Sequence, residues 1–76
     1  SSRFEESILL GELIKTLDKD RQEAFILTQH LGLSYAEAAE VCDCPVGTIR
    51  SRVARARDDL IASMQEADRR PRRSAM

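Results

Sequence analysis

PVGTIRSRVARARDDLI, Pro45 to Ile61, separates into two faces when wound as a helix at about 100° per residue. Val46, Ile49, Val53, Ala56 and Leu60 recur at alternating three- and four-residue steps and form one narrow apolar stripe. Ser51 stands opposite that stripe, flanked by Thr48, Ala54 and Arg55, while Arg50 and Arg57 occupy one shoulder and Arg52 the other. No acid lies between Pro45 and Arg57, and Asp58 and Asp59 come only after the basic run. A helix surface made only for solubility intersperses both signs, because opposite charges at i,i+4 support one another. Here small side chains hold the centre of the solvent face and guanidinium groups surround them. Such a face has the relief and the charge needed to enter the major groove of DNA.

Immediately upstream, SYAE (Ser34 to Glu37) has the spacing of a capping box, and Leu33 and Ala38 are spaced as a hydrophobic staple. This predicts a short helix over about 35–42 whose inward residues, Ala38, Ala39 and Cys42, are small enough for another helix to come close. Asp43 and Cys44 make the turn, and Pro45 suits the first position of the next helix because its missing N–H has no intrahelical partner to lose. A short helix, a tight turn and a longer basic helix form the helix-turn-helix pattern. Further back, Asp18 or Asp20 caps a helix that turns Ala24, Phe25, Leu27, Thr28 and Leu31 inward and ends at Gly32. An N-terminal helix runs from Phe4 to about Leu17, opened by Ser2 and Glu5 at capping-box spacing, with Ile8, Leu10, Leu13, Ile14 and Leu17 on its stripe. Gly11 weakens that helix by roughly 1 kcal/mol relative to alanine.

The expected fold is therefore all-α: a small four-helix domain over residues 1–64 containing a helix-turn-helix and no wing. Seventy-six residues allow one small core, and with no Trp and 4% aromatic residues that core is aliphatic and helix-packed. No run of alternating residues announces a strand. EADRRPRRSAM, from Glu66, is too polar to pack and contains Pro71, so residues 65–76 read as a basic, disordered tail. The chain opens on Ser1 rather than Met, the start expected of a piece of a longer protein. No apolar segment reaches membrane-spanning length and no signal-peptide pattern opens the chain, so no membrane partner is expected.

The net charge of −1 argues against a polyanion partner until the chain is divided at Pro45. Nine acids against four bases precede that residue, a sum of −5; eight arginines against four acids follow, a sum of +4. A domain polarised in this way can bind DNA with one end and present the other to solvent or a protein.

Other residues invite chemistry that the pattern does not support. Cys42 and Cys44 form C-x-C, but with His30 the only histidine there is no zinc ligand set, and no metal or cofactor is expected. Both cysteines read as free thiols, which fit a cytoplasmic protein. His30 has no nucleophile beside it, and the neighbours Glu5–Glu6 and Asp58–Asp59 diverge around their helices, so no enzyme is read here. Phe4, Phe25 and Tyr35 cannot form a stacking platform for single strands.

LSYAEAAEVCDCPVGTIRSRVARARDDL, Leu33 to Leu60, resembles the C-terminal region 4 of bacterial sigma factors of the extracytoplasmic-function (ECF) group. EAFIL, Glu23 to Leu27, matches the preceding helix, and the likeness covers Leu17 to Leu60. Two positions depart from the family's habit: Asp18 and Lys19 stand where prolines are frequent, and Asp43 where the turn usually has glycine. The resemblance implies a domain that binds the −35 promoter element as duplex DNA within the bacterial nucleoid. It also implies docking on RNA polymerase core through the β flap and, in many relatives, restraint by an anti-sigma factor. Carried position by position, the base-contacting set is Arg50, Ser51, Ala54 and Arg55, much as the helical wheel gives independently. Thr48, Arg52 and Arg57 fall near the DNA backbone, joined there by the Val46 and Gly47 N–H groups at the helix start and by Ser34 and Tyr35 on the preceding helix. For Tyr35 a partly buried packing ring is an equal reading. Binding as a monomer is expected. Two rivals stand beside this one: a dimeric helix-turn-helix regulator reading a two-fold site, and a helical protein-docking module whose basic face is incidental.

Overall fold

In the computed structural model, which describes residues 2–69 and the side chains of residues 9–66, the chain is helical almost throughout. Among the described residues, α1 spans Ser2–Lys15, α2 Lys19–Phe25, α3 Tyr35–Cys42 and α4 Val46–Arg69. A π-helical turn, Ile26–His30, continues α2.

The apolar stripe of α4 is the spine of the core. Ile49, Val53, Ala56 and Leu60 are all buried, as their spacing requires. Ile49 and Val53 pack with Ala24 of α2 and with Ala38 and Ala39 of α3, while Leu27, Tyr35, Cys42 and Cys44 close the edges. Lower down, Ala56 and Leu60 meet Leu17, with Leu13, Ile14 and Phe25 around them. Three alanines against two branched side chains bring the helix backbones close, which fixes how far α4 protrudes. Val46, the first residue of the expected stripe, is instead 37% exposed. It sits in the first turn of α4, immediately after the Asp43–Pro45 connection from α3, and is not part of either buried cluster.

Local chemistry sets the ends of α3. The Glu37 N–H donates to Ser34 Oγ at 3.0 Å, and the Ser34 N–H donates to Glu37 Oε1 at 2.8 Å, completing the capping box. At the other end Asp43 adopts φ 56°, ψ 54°, a left-handed conformation that reverses the chain toward α4. Pro45 lies one residue ahead of its expected place: its carbonyl accepts from the Thr48 N–H at 3.0 Å, and α4 begins at Val46.

The second helix departs from simple periodicity. Asp18 is at its N-cap, but the carboxylate makes no capping bond. Toward its end the Leu31 N–H donates to the Ile26 carbonyl, five residues back, and the Leu33 N–H to the Leu27 carbonyl, both at 2.9 Å. The buried Thr28 hydroxyl donates to the Ala24 carbonyl at 2.9 Å, which satisfies it locally. Widening by one residue per turn rotates the residues beyond it, and Leu31, expected inward, is 59% exposed. Gly32, at φ 79°, then closes the helix as expected. In α1, Leu13 and Ile14 pack inward but Leu10 is exposed, alongside Leu9. The expected contributions of Ser2, Phe4, Glu5 and Ile8 lie outside the described side chains. Helix α4 carries on through Gln65 and Glu66 to Arg69, so a helix covers positions whose polarity assigned them to the tail, and residues 70–76 lie outside the described ones.

This packing can be tested by two stability measurements. Ile49→Ala removes three buried carbons from the tightest contact and should cost about 2–5 kcal/mol, read as a lowered urea midpoint. Asp43→Val should destabilise by about 1–2 kcal/mol and Asp43→Gly should not, since a β-branched side chain strongly resists the left-handed backbone that glycine adopts freely.

Candidate nucleic-acid interface

Because α4 buries one stripe, the centre of its opposite face is offered to solvent. Arg50, Ser51, Ala54 and Arg55, the four expected base-contacting residues, are all exposed. Val46, Gly47 and Arg57 are exposed as well, while Thr48 and Arg52 are half-buried. The Val46 and Gly47 N–H groups lie in the first turn, ahead of Thr48, whose N–H takes the Pro45 carbonyl. They therefore point toward the helix N-terminus, where an anion is favoured.

The arginines differ in how they are held. The Arg50 guanidinium lies over the Tyr35 ring, 6.0 Å from its centroid, in cation–π range. Tyr35 itself is half-buried against the Ala38–Ile49 cluster, so its ring is a packing element as well as a platform for Arg50. On the same shoulder, Arg57 Nη2 donates to Gln29 Oε1 at 3.5 Å, and Gln29 Nε2 donates to the Thr28 hydroxyl at 3.1 Å. On the other shoulder Arg52 reaches back across the core: Nη1 to Cys44 Sγ at 3.9 Å, and Nη2 to within 3.8 Å of Asp20 Oδ2. Arg55 makes no ion pair among the described residues.

Arg52 and Arg55 line one open concavity of about 350 Å³ together with Gly47, Thr48, Ser51 and Arg21. Five of these six are sequence-expected residues, brought together by helical spacing. Arg21 is the one that sequence reasoning missed. It comes from α2, its Nη1 lies 2.7 Å from Asp59 Oδ2, and its side chain is 34% exposed. An ion pair this accessible contributes about 0–1 kcal/mol to stability. The signal in the sequence was faint: one of four bases set among the nine acids that precede Pro45.

Ser34 and Tyr35 stand at the start of α3, away from that concavity. The Ser34 hydroxyl oxygen is engaged by the capping box, which leaves its proton free to donate. Cys42 and Cys44 are both free and half-buried. Burial, reinforced by the nearby Glu23 carboxylate, raises the Cys42 thiol above its ordinary value, so it stays protonated and unreactive near neutral pH. Among the described residues no three of His, Cys, Asp and Glu converge as a metal site would need, and no helix is long and apolar enough to cross a membrane.

Comparison with known proteins agrees with this arrangement. The family described as Sigma-70, region 4 matches residues 7–60, from α1 to the buried Leu60 of α4. The ECF RNA polymerase sigma factor SigC of Mycobacterium tuberculosis is 58% identical over 65 residues, 86% of this chain and 35% of that protein. The ECF RNA polymerase sigma factor EcfG of Rhodopseudomonas palustris is 54% identical over 46 residues, 60% of this chain and 25% of the relative. The ECF RNA polymerase sigma-E factor of Escherichia coli is 46% identical over 57 residues, 75% of this chain and 30% of the relative. The chain thus spans about a quarter to a third of the length of these curated relatives. Helix-turn-helix geometry, a helix whose first turns expose arginines without an acid and the family match agree: the chain belongs to the sigma-70 region 4 family, as the DNA-binding helix-turn-helix domain of an ECF sigma factor.

Proposed function

We propose that this domain recognises the −35 element of a promoter as duplex DNA and so helps direct transcription initiation by RNA polymerase. The observation that carries the reading is the exposed face of α4, where guanidinium groups and small side chains alternate without an acid from Val46 to Arg57. Arg55, close to the centre of that face and in no ion pair among the described residues, is the base reader; its fork matches guanine O6 and N7. Ser51 and Ala54 permit close approach, and Arg50, held by the Tyr35 ring, reaches a base edge or a phosphate. Thr48, Arg52, Arg57, Ser34, Tyr35 and the Val46 and Gly47 N–H groups hold the phosphates on either side, which positions the domain without reading sequence.

Docking on the polymerase β flap completes the reading. The surface that supports it lies between the other end of α4 and α1, where Leu9, Leu10, Leu13 and Met64 line an apolar cleft of about 310 Å³. An anti-sigma factor would act by covering either surface. The domain works as a cytoplasmic monomer on one asymmetric site.

Binding of a −35 duplex, followed by fluorescence anisotropy across a salt series, tests this. Neutralising about four phosphates gives a log–log slope near −3.6. Arg55→Ala should cost about 1–3 kcal/mol of discrimination between the cognate duplex and a scrambled one. A slope near zero, or discrimination unchanged in Arg55→Ala, would refute the assignment.

A further inference from the structure

Arg21 belongs to a different helix from the recognition face, yet it lines the same concavity as Gly47, Thr48, Ser51, Arg52 and Arg55. Resting on the DNA-binding reading above, we propose that Arg21 is a DNA-phosphate contact supplied by α2, and that Asp59 is its internal competitor. The geometry supports both halves. Arg21 Nη1 is engaged by Asp59 Oδ2 at 2.7 Å, while the residue lines the concavity. A guanidinium has five N–H donors in a fixed fork, so this bond leaves others for a phosphate oxygen. A third of the side chain remains open to solvent. The neighbouring Arg52 is held more loosely, 3.8 Å from Asp20, itself an exposed carboxylate. The concavity therefore has three guanidinium groups, two hydroxyls and a glycine backbone on its walls, with two carboxylates at its margin. Arg21, Arg52, Thr48 and the Gly47 backbone are the donor set for a phosphodiester, beside the Ser51 and Arg55 assigned to the bases. The phosphate takes the free donors and competes with Asp59 for the guanidinium charge.

Arg21→Ala and Asp59→Asn break the same ion pair and have opposite expected effects. With the full 76-residue chain and a promoter duplex, Arg21→Ala should weaken binding about three- to tenfold at low salt, equally for cognate and scrambled sequences. It should also reduce the magnitude of the salt slope by about 0.9. Asp59→Asn should strengthen binding. A scan of duplexes carrying single uncharged methylphosphonates separates a contact from diffuse attraction. One phosphate should matter to the wild-type chain and cease to matter in Arg21→Ala. Weakening by both variants, matching their losses in urea midpoint, would reduce Arg21 to a staple between α2 and α4 and overturn the proposal. So would methylphosphonate effects that are the same in both chains at every position. If the wild-type chain binds no duplex in a salt-dependent way, the DNA-binding reading falls too; if wild type binds and Arg55→Ala loses discrimination while Arg21→Ala changes nothing, only this proposal falls.

Discussion

Everything in this domain depends on the close approach of α4 to α2 and α3 at Ile49 and Val53. Both side chains are fully buried, and the residues facing them are Ala24, Ala38 and Ala39. With methyl groups on one side and branched chains on the other, the helices interlock at one depth and one rotation. That rotation decides which residues face outward, because on a helix the stripe that is buried dictates the stripe that is presented. A larger residue at Ala38 or Ala39 would lift α4 and turn it, and the basic face would no longer project as a unit. The binding surface is in this sense a consequence of core packing.

Much of this was legible in the sequence. The bounds of α3 follow from SYAE and from the Asp43 turn, and the buried positions of α4 from their three- and four-residue steps, because these features are local in the chain. The turn at Asp43 was readable for the same reason, and its left-handed backbone came from the structure. What escaped was cooperative. The π-helical turn at Ile26–His30 arises from how the chain leaves α2, and it turns Leu31 out of a register that periodicity alone assigned to the core. Leu10 escaped because it lines the open cleft with Leu9 and Met64 instead of joining Leu13, Ile14 and Leu17 in the buried cluster. The polar composition of Gln65 to Arg69 disguised a helix whose residues owe their order to the helix before them.

The candidate interface divides in the same way. Spacing alone placed Gly47, Ser51 and Arg55 on one line, two turns long. It could not reveal what restrains the arginines, since each restraint comes from a distant part of the chain: Tyr35 under Arg50, Gln29 beside Arg57, Asp20 and Cys44 around Arg52. Arg21 is 34 residues from Arg55 in sequence and shares a concavity with it. These restraints have a functional meaning. Guanidinium groups ordered before binding lose less side-chain freedom when they meet a phosphate, whereas an unrestrained arginine can adjust to a base edge. On the proposed reading, Arg52 and Arg57 are preorganised for the DNA backbone, and Arg55 at the centre is left adaptable for a base.

The measurement that tests the central claim most directly is selection of bound duplexes from a random library by the 76-residue chain, read by sequencing. A monomeric reader with one adaptable arginine centre predicts enrichment of a single short, asymmetric motif containing guanine. A palindrome with half-sites one helical turn apart would instead assign the domain to a dimeric regulator, and a library returned without any enriched motif would contradict sequence reading by α4 altogether.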